Sequence, residues 1–383
     1  MVEEIKDRKK FEVDRSTDMA QKISIEELDR NMAVVKTINE PDICFYDVRK
    51  DPFDVYGLYN YRNEEEFKRM PEAVAKTVSS GVENLNFATA GGRVRFSTDS
   101  QYVAIRAIMP HIAHMTHFAM TGSSSFDLYI DDPESGISRF HRPFRIDASA
   151  KNGYESILKF KTRQTRYFTI NFPTYSHVKD LWIGLQENAF VGEGLKYRNI
   201  PPVVYYGSSI TQGACASRPG NAYQCVISRH MNLDFINLGF SGNGKAEDTM
   251  VDYMAGLEMS AFVSDYDHNA PNVAHLEATH RKMYEKIREA HPDIPYIMIS
   301  RVDFDCAYDD NIKRRDVIMD TYRFARANGD KNVYYIDGAG VFRGPYMDMC
   351  TTDGCHPTDV GFALMADAVE NELSRAFTQH LFE

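Results

Sequence analysis

The sequence lacks any long apolar run. Its 383 residues contain no stretch of about 18 consecutive apolar residues, the length that a membrane-spanning helix needs. The first residues, MVEEIKDRKKFEVDR, are charged and have no apolar centre, so they do not have the pattern of a secretory signal peptide. The sequence therefore predicts a protein without a membrane span, and we expect it in the cytoplasm.

Cysteine is also scarce, and the six cysteines are scattered in a way that is not typical of a disulfide framework. Cys350, Cys355 and His356 lie close together in sequence, but no CxxC pair accompanies them, so the sequence predicts no zinc site. We expect no metal and no organic cofactor. Three histidines recur three residues apart in a segment of predicted β-structure and are interpreted as surface or interface groups: His111, His114 and His117.

Basic residues are outnumbered by acidic ones, 44 to 55, which gives a net charge of −11. This balance disfavours nucleic acids and anionic membranes as partners, because both carry negative charge. The length exceeds that of a typical single core, so two domains are expected. The charge does not identify a substrate, and the oligomeric state stays open, with a homo-oligomer as one alternative.

The pattern of polar and apolar residues changes twice along the chain. Residues 1–40 are polar and predict a partly helical arm, in which Ser24 and Glu27 form a candidate capping box. Residues 41–195 contain many short alternating strands separated by turns, which indicates a β-sandwich or jelly roll. In residues 200–383 strands alternate with helices, which predicts a parallel sheet covered on both faces.

The C-terminal half contains five strand candidates, and the loops that follow parallel strands meet at one edge of the sheet. The candidates are 203–206, 235–238, 261–264, 295–300 and 333–336.

Ser209 follows the first of these strands and is the candidate nucleophile. The surrounding residues are not a G-x-S-x-G elbow, because Thr211 occupies the position of the second glycine. A serine after a strand often caps a helix instead. Ser209 is therefore a convincing nucleophile candidate only if later loops supply its catalytic partners. Asp353 and His356 supply them, since an aspartate three residues before a histidine can accept from Nδ1 and leave Nε2 to act as a base.

Two further loops offer hydrogen-bond donors at the same edge. The segment from Gly239 to Gly244 is rich in glycine, so its backbone can bend and present N–H groups. Asn269 follows the third strand and offers a side-chain amide. Nearby, His268 is interpreted as a solvated or hydrogen-bonding group, with substrate contact as the alternative. Arg301 and Asp303 are either pocket lining or a salt bridge.

Taken together, these blocks resemble the SGNH (GDSL-like) hydrolase superfamily. The matching blocks, in the family's order, are Gly207-Ser208-Ser209-Ile210-Thr211, the glycine loop ending at Gly242, Asn269, and Asp353-x-x-His356. Two departures are Ser208, where the family has an aspartate, and Asp267-His268-Asn269, where the family has G-x-N-D.

The resemblance implies a three-layer α/β/α domain with a flavodoxin-like parallel sheet. It implies a catalytic triad of Ser209, His356 and Asp353. It also implies an oxyanion hole made by the N–H groups of Ser209 and Gly242 and by the Asn269 amide, with the choice between Gly239 and Gly242 left open.

A second resemblance covers the N-terminal half. Gly122 and the run Asp127-Leu128-Tyr129 are similar to the signature of the β-sandwich domain that precedes the hydrolase domain in a two-domain SGNH subgroup. The arrangement is also similar to that of certain deacetylating carbohydrate esterases.

We therefore expect a serine esterase that removes short acyl groups, above all acetyl, from a carbohydrate or a small polar ester. The alternatives are a GDSL-type lipase or thioesterase with a longer acyl substrate, and a catalytically silent glycan-binding protein. The polar composition of the loops favours the first reading, and the residues concerned are Ser208, Gln212, Arg218, Asn221, Asn243, Lys245, Asp265 and Asp267. Five tyrosines are candidates for an aromatic sugar platform: Tyr205, Tyr206, Tyr223, Tyr266 and Tyr346.

Overall fold

The computed structural model describes residues 22–23 and 37–379. Most of the predicted arm at 1–40, including its capping box at Ser24, lies outside these ranges, so that part stays a prediction. Among the described residues, no helix combines the length and the apolar character that crossing a bilayer would require.

The first half of the described chain forms two antiparallel sheets. In chain order the strands are β1 (Lys22–Ile23), β2 (Ile43–Asp47), β3 (Asp54–Tyr56), β4 (Arg93–Thr98), β5 (Tyr102–Ile108), β6 (Phe126–Asp131), β7 (Ser138–Phe144), β8 (Gly153–Lys159), β9 (Arg166–Asn171), β10 (Asp180–Gln186) and β11 (Val191–Glu193). One sheet has the order β1-β2-β10-β5-β8, and the other has the order β11-β4-β9-β6-β7, with β3 beside β4.

The two antiparallel sheets pack face to face. Alternate residues of a strand point to the same side of its sheet, so each sheet contributes a row of apolar side chains. Phe96 and Phe168 from one sheet and Ile105 and Ile183 from the other are fully buried in a single cluster. The expected β-sandwich is therefore present.

The second half contains a parallel sheet of five strands. They are β12 (Val203–Gly207), β13 (Phe235–Gly239), β14 (Ala261–Asp265), β15 (Tyr296–Ile299) and β16 (Val333–Ile336). The order is β13-β12-β14-β15-β16, and every neighbouring pair is parallel. The chain leaves β12 to one side for β13 and then returns to the other side for β14. This reversal makes the carboxyl end of β12 the topological switch point, where open α/β sheets bind ligands.

Helices cover both faces of the parallel sheet. In chain order the helices are α1 (Glu72–Val78), α2 (Ser80–Leu85), α3 (Met120–Ser123), α4 (Ser209–Gln212), α5 (Tyr223–Met231), α6 (Asp248–Ala255), α7 (Val273–Ala290), α8 (Tyr308–Ala327), α9 (Gly338–Val341) and α10 (Asp359–Gln379). Val203 and Tyr205 of β12 pack into a cluster with α5 and α10, whereas Val204 and Tyr206 pack into a cluster with α6 and α7. A strand buried on both sides is the reason for its continuous apolar sequence.

Helices α1 and α2 interrupt the uniform β-structure that the sequence indicates for this region. Ala75 and Val82, one from each helix, are fully buried in the same cluster as Met250 and Met254 of α6. The helix pair therefore packs on the parallel sheet's side of the molecule, although it precedes that sheet by more than a hundred residues.

Candidate active site

Ser209 lies at the carboxyl end of β12, as the first residue of α4. Gly207 permits the close approach there, because a Cβ at this position would lie 2.3 Å from the carbonyl oxygen of Asp265. The hydroxyl of Ser208 accepts a hydrogen bond from the Ile210 N–H at 3.1 Å and caps the short helix. Ser209 is therefore in the first turn of a helix rather than in an exposed loop, and it is only 8% exposed.

The structure brings the three predicted triad residues together. Nε2 of His356 lies 2.9 Å from Oγ of Ser209, and Nδ1 of His356 lies 2.8 Å from Oδ2 of Asp353. An imidazole that donates from Nδ1 to a carboxylate keeps its lone pair on Nε2. The pair Ser209 and His356 therefore has the geometry of a nucleophile and its general base.

Hydrogen bonds hold Asp353 in its charged form. Partial burial acts to raise the pKa of Asp353, but the His356 ring and the backbone N–H groups of His356 and Cys355 donate to it and lower its pKa to about 2. The turn is closed by a hydrogen bond of 2.8 Å from the Thr352 N–H to the carbonyl oxygen of His356. A carboxylate that stays ionised at neutral pH can stabilise an imidazolium beside it.

Of the two glycines considered as oxyanion donors, Gly242 is the better placed. The N–H of Gly239 already donates to Oδ1 of Asn237 at 2.9 Å. Gly242 is exposed at a φ of 69°, and its N–H meets no acceptor among the described residues. The N–H of Ser209 occupies the first position of α4, where no intrahelical acceptor exists.

Asn269 lies in the turn that follows β14, next to the glycine loop. Its Oδ1 accepts a hydrogen bond from the Gly244 N–H at 3.1 Å, which leaves Nδ2 as the donor. The same loop is tied to β12, because the Phe240 N–H donates to the carbonyl oxygen of Gly207 at 2.9 Å. The loops after β12, β13 and β14 thus meet at one edge, as the sequence predicts, and their N–H groups can serve an oxyanion.

A buried charged cluster lies behind Asn269. Nε2 of His268 is 2.9 Å from Oδ1 of Asp303, and the Arg301 guanidinium forms an ion pair of 2.6 Å with Oδ2 of the same carboxylate. Burial acts to lower the pKa of His268, but its contacts with Asp267 and Asp303 raise that pKa to about 9. Arg301 and Asp303 therefore form the salt bridge that the sequence left as one alternative, and His268 is a buried partner in it.

Half of the eight polar loop residues that the sequence suggested as substrate-facing are inside the protein. Ser208, Gln212, Asp265 and Asp267 are at most 1% exposed. Gln212, for example, accepts from the Ser241 N–H at 2.9 Å and donates to the Thr174 carbonyl at 3.1 Å. These groups hold the loops together and do not face a substrate. The other four are partly exposed: Arg218, Asn221, Asn243 and Lys245.

Most of the tyrosines named as candidates for an aromatic sugar platform are buried. Four of the five tyrosines are at most 1% exposed and belong to the core: Tyr205, Tyr206, Tyr223 and Tyr266. Only Tyr346 of this group is exposed, at 58%.

The Gly122 and Asp-Leu-Tyr residues join the sandwich to the segment that follows the Ser209 helix. Asp127 is fully buried and accepts hydrogen bonds from Nδ2 of Asn171 at 2.7 Å and from the Gly220 N–H at 2.9 Å. A Cβ on Gly122 would lie 1.9 Å from the carbonyl oxygen of Ala216. The signature is therefore a docking surface within the chain, a role that its residue types alone did not reveal.

His117 is the site neighbour that sequence reasoning missed. Its ring centroid lies 5.7 Å from that of His356, and its carbonyl oxygen is 3.5 Å from the Cys215 thiol. His111, by contrast, pairs with the ring of His177 at 5.1 Å. The spacing of the three histidines predicted surface or interface groups but could not show which of them lies beside His356.

Comparisons with known proteins identify the family to which each half of the chain is similar. Residues 201–374 match the GDSL-like lipase/acylhydrolase family, and residues 43–191 match the N-terminal domain of SGNH hydrolase-type esterases that carries the GxDLY signature. No curated protein matches the sequence.

Solved structures share the whole two-part fold. A Bacteroides ovatus protein described as a GDSL-like lipase is 26% identical, with a TM-score of 0.78 over 88% of this chain and 98% of its own. A salicylyl-acyltransferase from a tetracycline biosynthetic pathway is 19% identical, with a TM-score of 0.69 over 88% and 98%. A family two carbohydrate esterase from Cellvibrio japonicus is 13% identical, with a TM-score of 0.58 over 87% and 98%. The chain is thus a member of the SGNH (GDSL-like) hydrolase superfamily, in the two-domain subgroup with an N-terminal β-sandwich, and it is an ester-bond hydrolase.

Proposed function

We propose that the protein is a short-chain acyl esterase that removes acetyl groups from a carbohydrate or a small polar ester. The observation that carries this proposal is the set of contacts from Ser209 through His356 to Asp353, with Ser209 recessed to 8% exposure. The intact set argues against a catalytically silent glycan-binding protein.

In the proposed reaction, Oγ of Ser209 attacks the ester carbonyl while Nε2 of His356 takes its proton. Asp353 holds the ring and stabilises the imidazolium. The N–H groups of Ser209 and Gly242 and the amide of Asn269 donate to the oxyanion. His356 then returns the proton to the leaving alcohol, and water activated by the same base hydrolyses the acyl-enzyme.

Two features support a small and polar substrate. A nucleophile that is mostly buried is reached more easily by an acetyl group than by a branched or bulky acyl chain. Asn243 and Lys245 flank the donor loop with partly exposed polar side chains, and a long acyl tail would have to desolvate them. The two-part fold is shared with carbohydrate esterases, which is compatible with this choice.

One observation favours a lipase or thioesterase as the second candidate. Tyr346, Met347 and Met349 are 58%, 45% and 53% exposed, and they precede the turn that carries Asp353 and His356. Exposed apolar residues near a site are typical of surfaces that bind apolar ligands. A longer acyl chain lying over these side chains would use them.

A chain-length series separates the two candidates. We expect hydrolysis of p-nitrophenyl esters to fall steeply from acetyl to butyryl to octanoyl, and acetylated sugars to be hydrolysed in parallel assays. The Ser209→Ala variant controls for spontaneous hydrolysis. Faster turnover of an octanoyl ester or a palmitoyl thioester than of the acetyl ester would replace the acetylesterase proposal with the second candidate.

A further inference from the structure

We propose that His117, Cys215 and His356 form a zinc site that inhibits the enzyme. A ring nitrogen of each histidine and the Cys215 Sγ all lie within 4.8 Å of one another. His117 comes from the β-sandwich half of the chain, whereas Cys215 and His356 come from the loops after β12 and before α10. The consequence for activity rests on the proposed role of His356 as the base.

The donor set is the one that Zn²⁺ prefers. Thiolate and imidazole are its common protein ligands, with Zn–S near 2.3 Å and Zn–N near 2.0–2.1 Å, which places tetrahedral ligand atoms roughly 3.3–3.6 Å apart. The side chain of His117 is exposed and can rotate to close the remaining gap. Zinc would replace the thiol proton of Cys215, and three protein ligands would leave a fourth position for water.

The triad itself prepares His356 to bind a metal. Zinc-bound histidines usually donate their other ring nitrogen to a carboxylate, which is the relation that His356 already has with Asp353. A neutral imidazole has a single basic lone pair. Zinc on either nitrogen therefore takes the lone pair that would accept the Ser209 proton, so bound metal and catalysis exclude each other.

Two other groups of side chains among the described residues have a composition that could bind a metal ion, but they are less accessible than the cluster of His117, Cys215 and His356. His268, Asp303 and Cys355 approach one another, as do Asp265, Asp267 and His268. Both groups share His268, whose side chain is only 4% exposed and is already paired with Asp303 at 2.9 Å. An ion entering either group would have to break that pair, whereas His117 is exposed.

The test measures hydrolysis of an acetyl ester against buffered free Zn²⁺, with each protein referred to its own rate in EDTA. We expect the wild-type protein to be inhibited reversibly. His117→Ala and Cys215→Ser should need at least about 10-fold more zinc for the same inhibition, because each loses one of three ligands. His114→Ala, an exposed histidine of the same loop outside the cluster, should behave like the wild type. Equal sensitivity of His117→Ala and the wild type, absence of inhibition, or activation by zinc would overturn the proposal.

A second measurement is independent of hydrolysis. Co²⁺ added to the Ser209→Ala protein should give thiolate-to-metal charge-transfer absorbance, and this band should be absent when Cys215→Ser is added to that background. Metal binding in an inactive protein would stand even if the proposed esterase activity failed. Absence of the band in the Ser209→Ala protein would count against the site, whatever the activity.

Discussion

Nε2 of His356 lies 2.9 Å from Oγ of Ser209, although 147 residues separate the two in the chain. The contact exists because the end of β12 and the turn before α10 lie at the same edge of the parallel sheet, where the strands have their carboxyl ends. Ser209 is fixed there by a capped helix, and His356 is fixed by a turn that closes on its own carbonyl oxygen. The two side chains are therefore held in place without a ligand, which would lower the cost of orientation in the proposed reaction.

The Asp353→Asn variant should lose less activity than His356→Ala, by at least about tenfold in kcat. The amide can still orient the ring, but it cannot stabilise the imidazolium. Because the pKa of Asp353 is lowered to about 2, this carboxylate stays charged in any assay above about pH 4, so the acid limb of the rate profile reports on the base. Steady-state kinetics from pH 4 to pH 9 checks this, and equal losses in the two variants would contradict the assigned roles.

Asn269 should be an oxyanion donor and not merely a support for the glycine loop. Asn269→Asp keeps an oxygen for the Gly244 N–H but removes the amide donor. We expect this variant and Asn269→Ala both to lose about 10²–10³ in kcat, roughly 2.7–4 kcal/mol of barrier, with a smaller change in KM. Retention of activity by Asn269→Asp with loss in Asn269→Ala would instead indicate a purely structural role.

The docking of the sandwich should depend on the absence of a side chain at position 122. Gly122→Ala places a methyl group 1.9 Å from the Ala216 carbonyl oxygen, so we expect a loss of about 1–3 kcal/mol or more in the free energy of unfolding, together with reduced activity. Gly340→Ala is the matched control, because its Cβ would meet no atom within 4 Å. Denaturant unfolding of both variants measures the difference, and equal stability would refute the tight packing described for Gly122.

The buried His268 should make stability depend on pH. Its folded pKa of about 9 is above the unfolded value of 6.5, so its contribution is fully present below about pH 6.5 and is lost as the pH rises through 9. The change is roughly 3 kcal/mol at most. Urea unfolding at several pH values should show a decline in the wild type over this window and a flatter profile in His268→Asn, whereas identical slopes would exclude the effect.

Much of the C-terminal fold could be predicted because its strands are buried on both faces. Each of the five strand candidates occurs in the structure, with ends within a residue of the prediction. Such strands read as continuous apolar runs, and the loops between them carry the reactive groups in a fixed order. The meeting of Ser209, Asp353 and His356 could therefore be predicted from residue types and spacing.

The sequence could not show which polar groups face solvent. Gln212 and Asp265 are polar residues in the loops around Ser209, yet both are buried. The partners of Gln212 are Ser241 and Thr174, and nothing local in the sequence indicates contacts with such distant segments. The position of His117 beside His356 could not be predicted for the same reason. It depends on how the β-sandwich packs against the C-terminal half of the chain.

Covalent labelling tests the assignment of Ser209 as the nucleophile most directly. A fluorophosphonate probe followed by peptide mass spectrometry should place the label on Ser209. Ser208→Ala should still be labelled and keep most activity, because Ser208 only caps α4, with a stability cost of about 1 kcal/mol. Ser209→Ala should lose at least about 10³-fold in hydrolysis with an unchanged thermal unfolding curve. A label on another residue, or a Ser209→Ala protein that still hydrolyses esters at the wild-type rate, would contradict the assignment of Ser209 as the nucleophile.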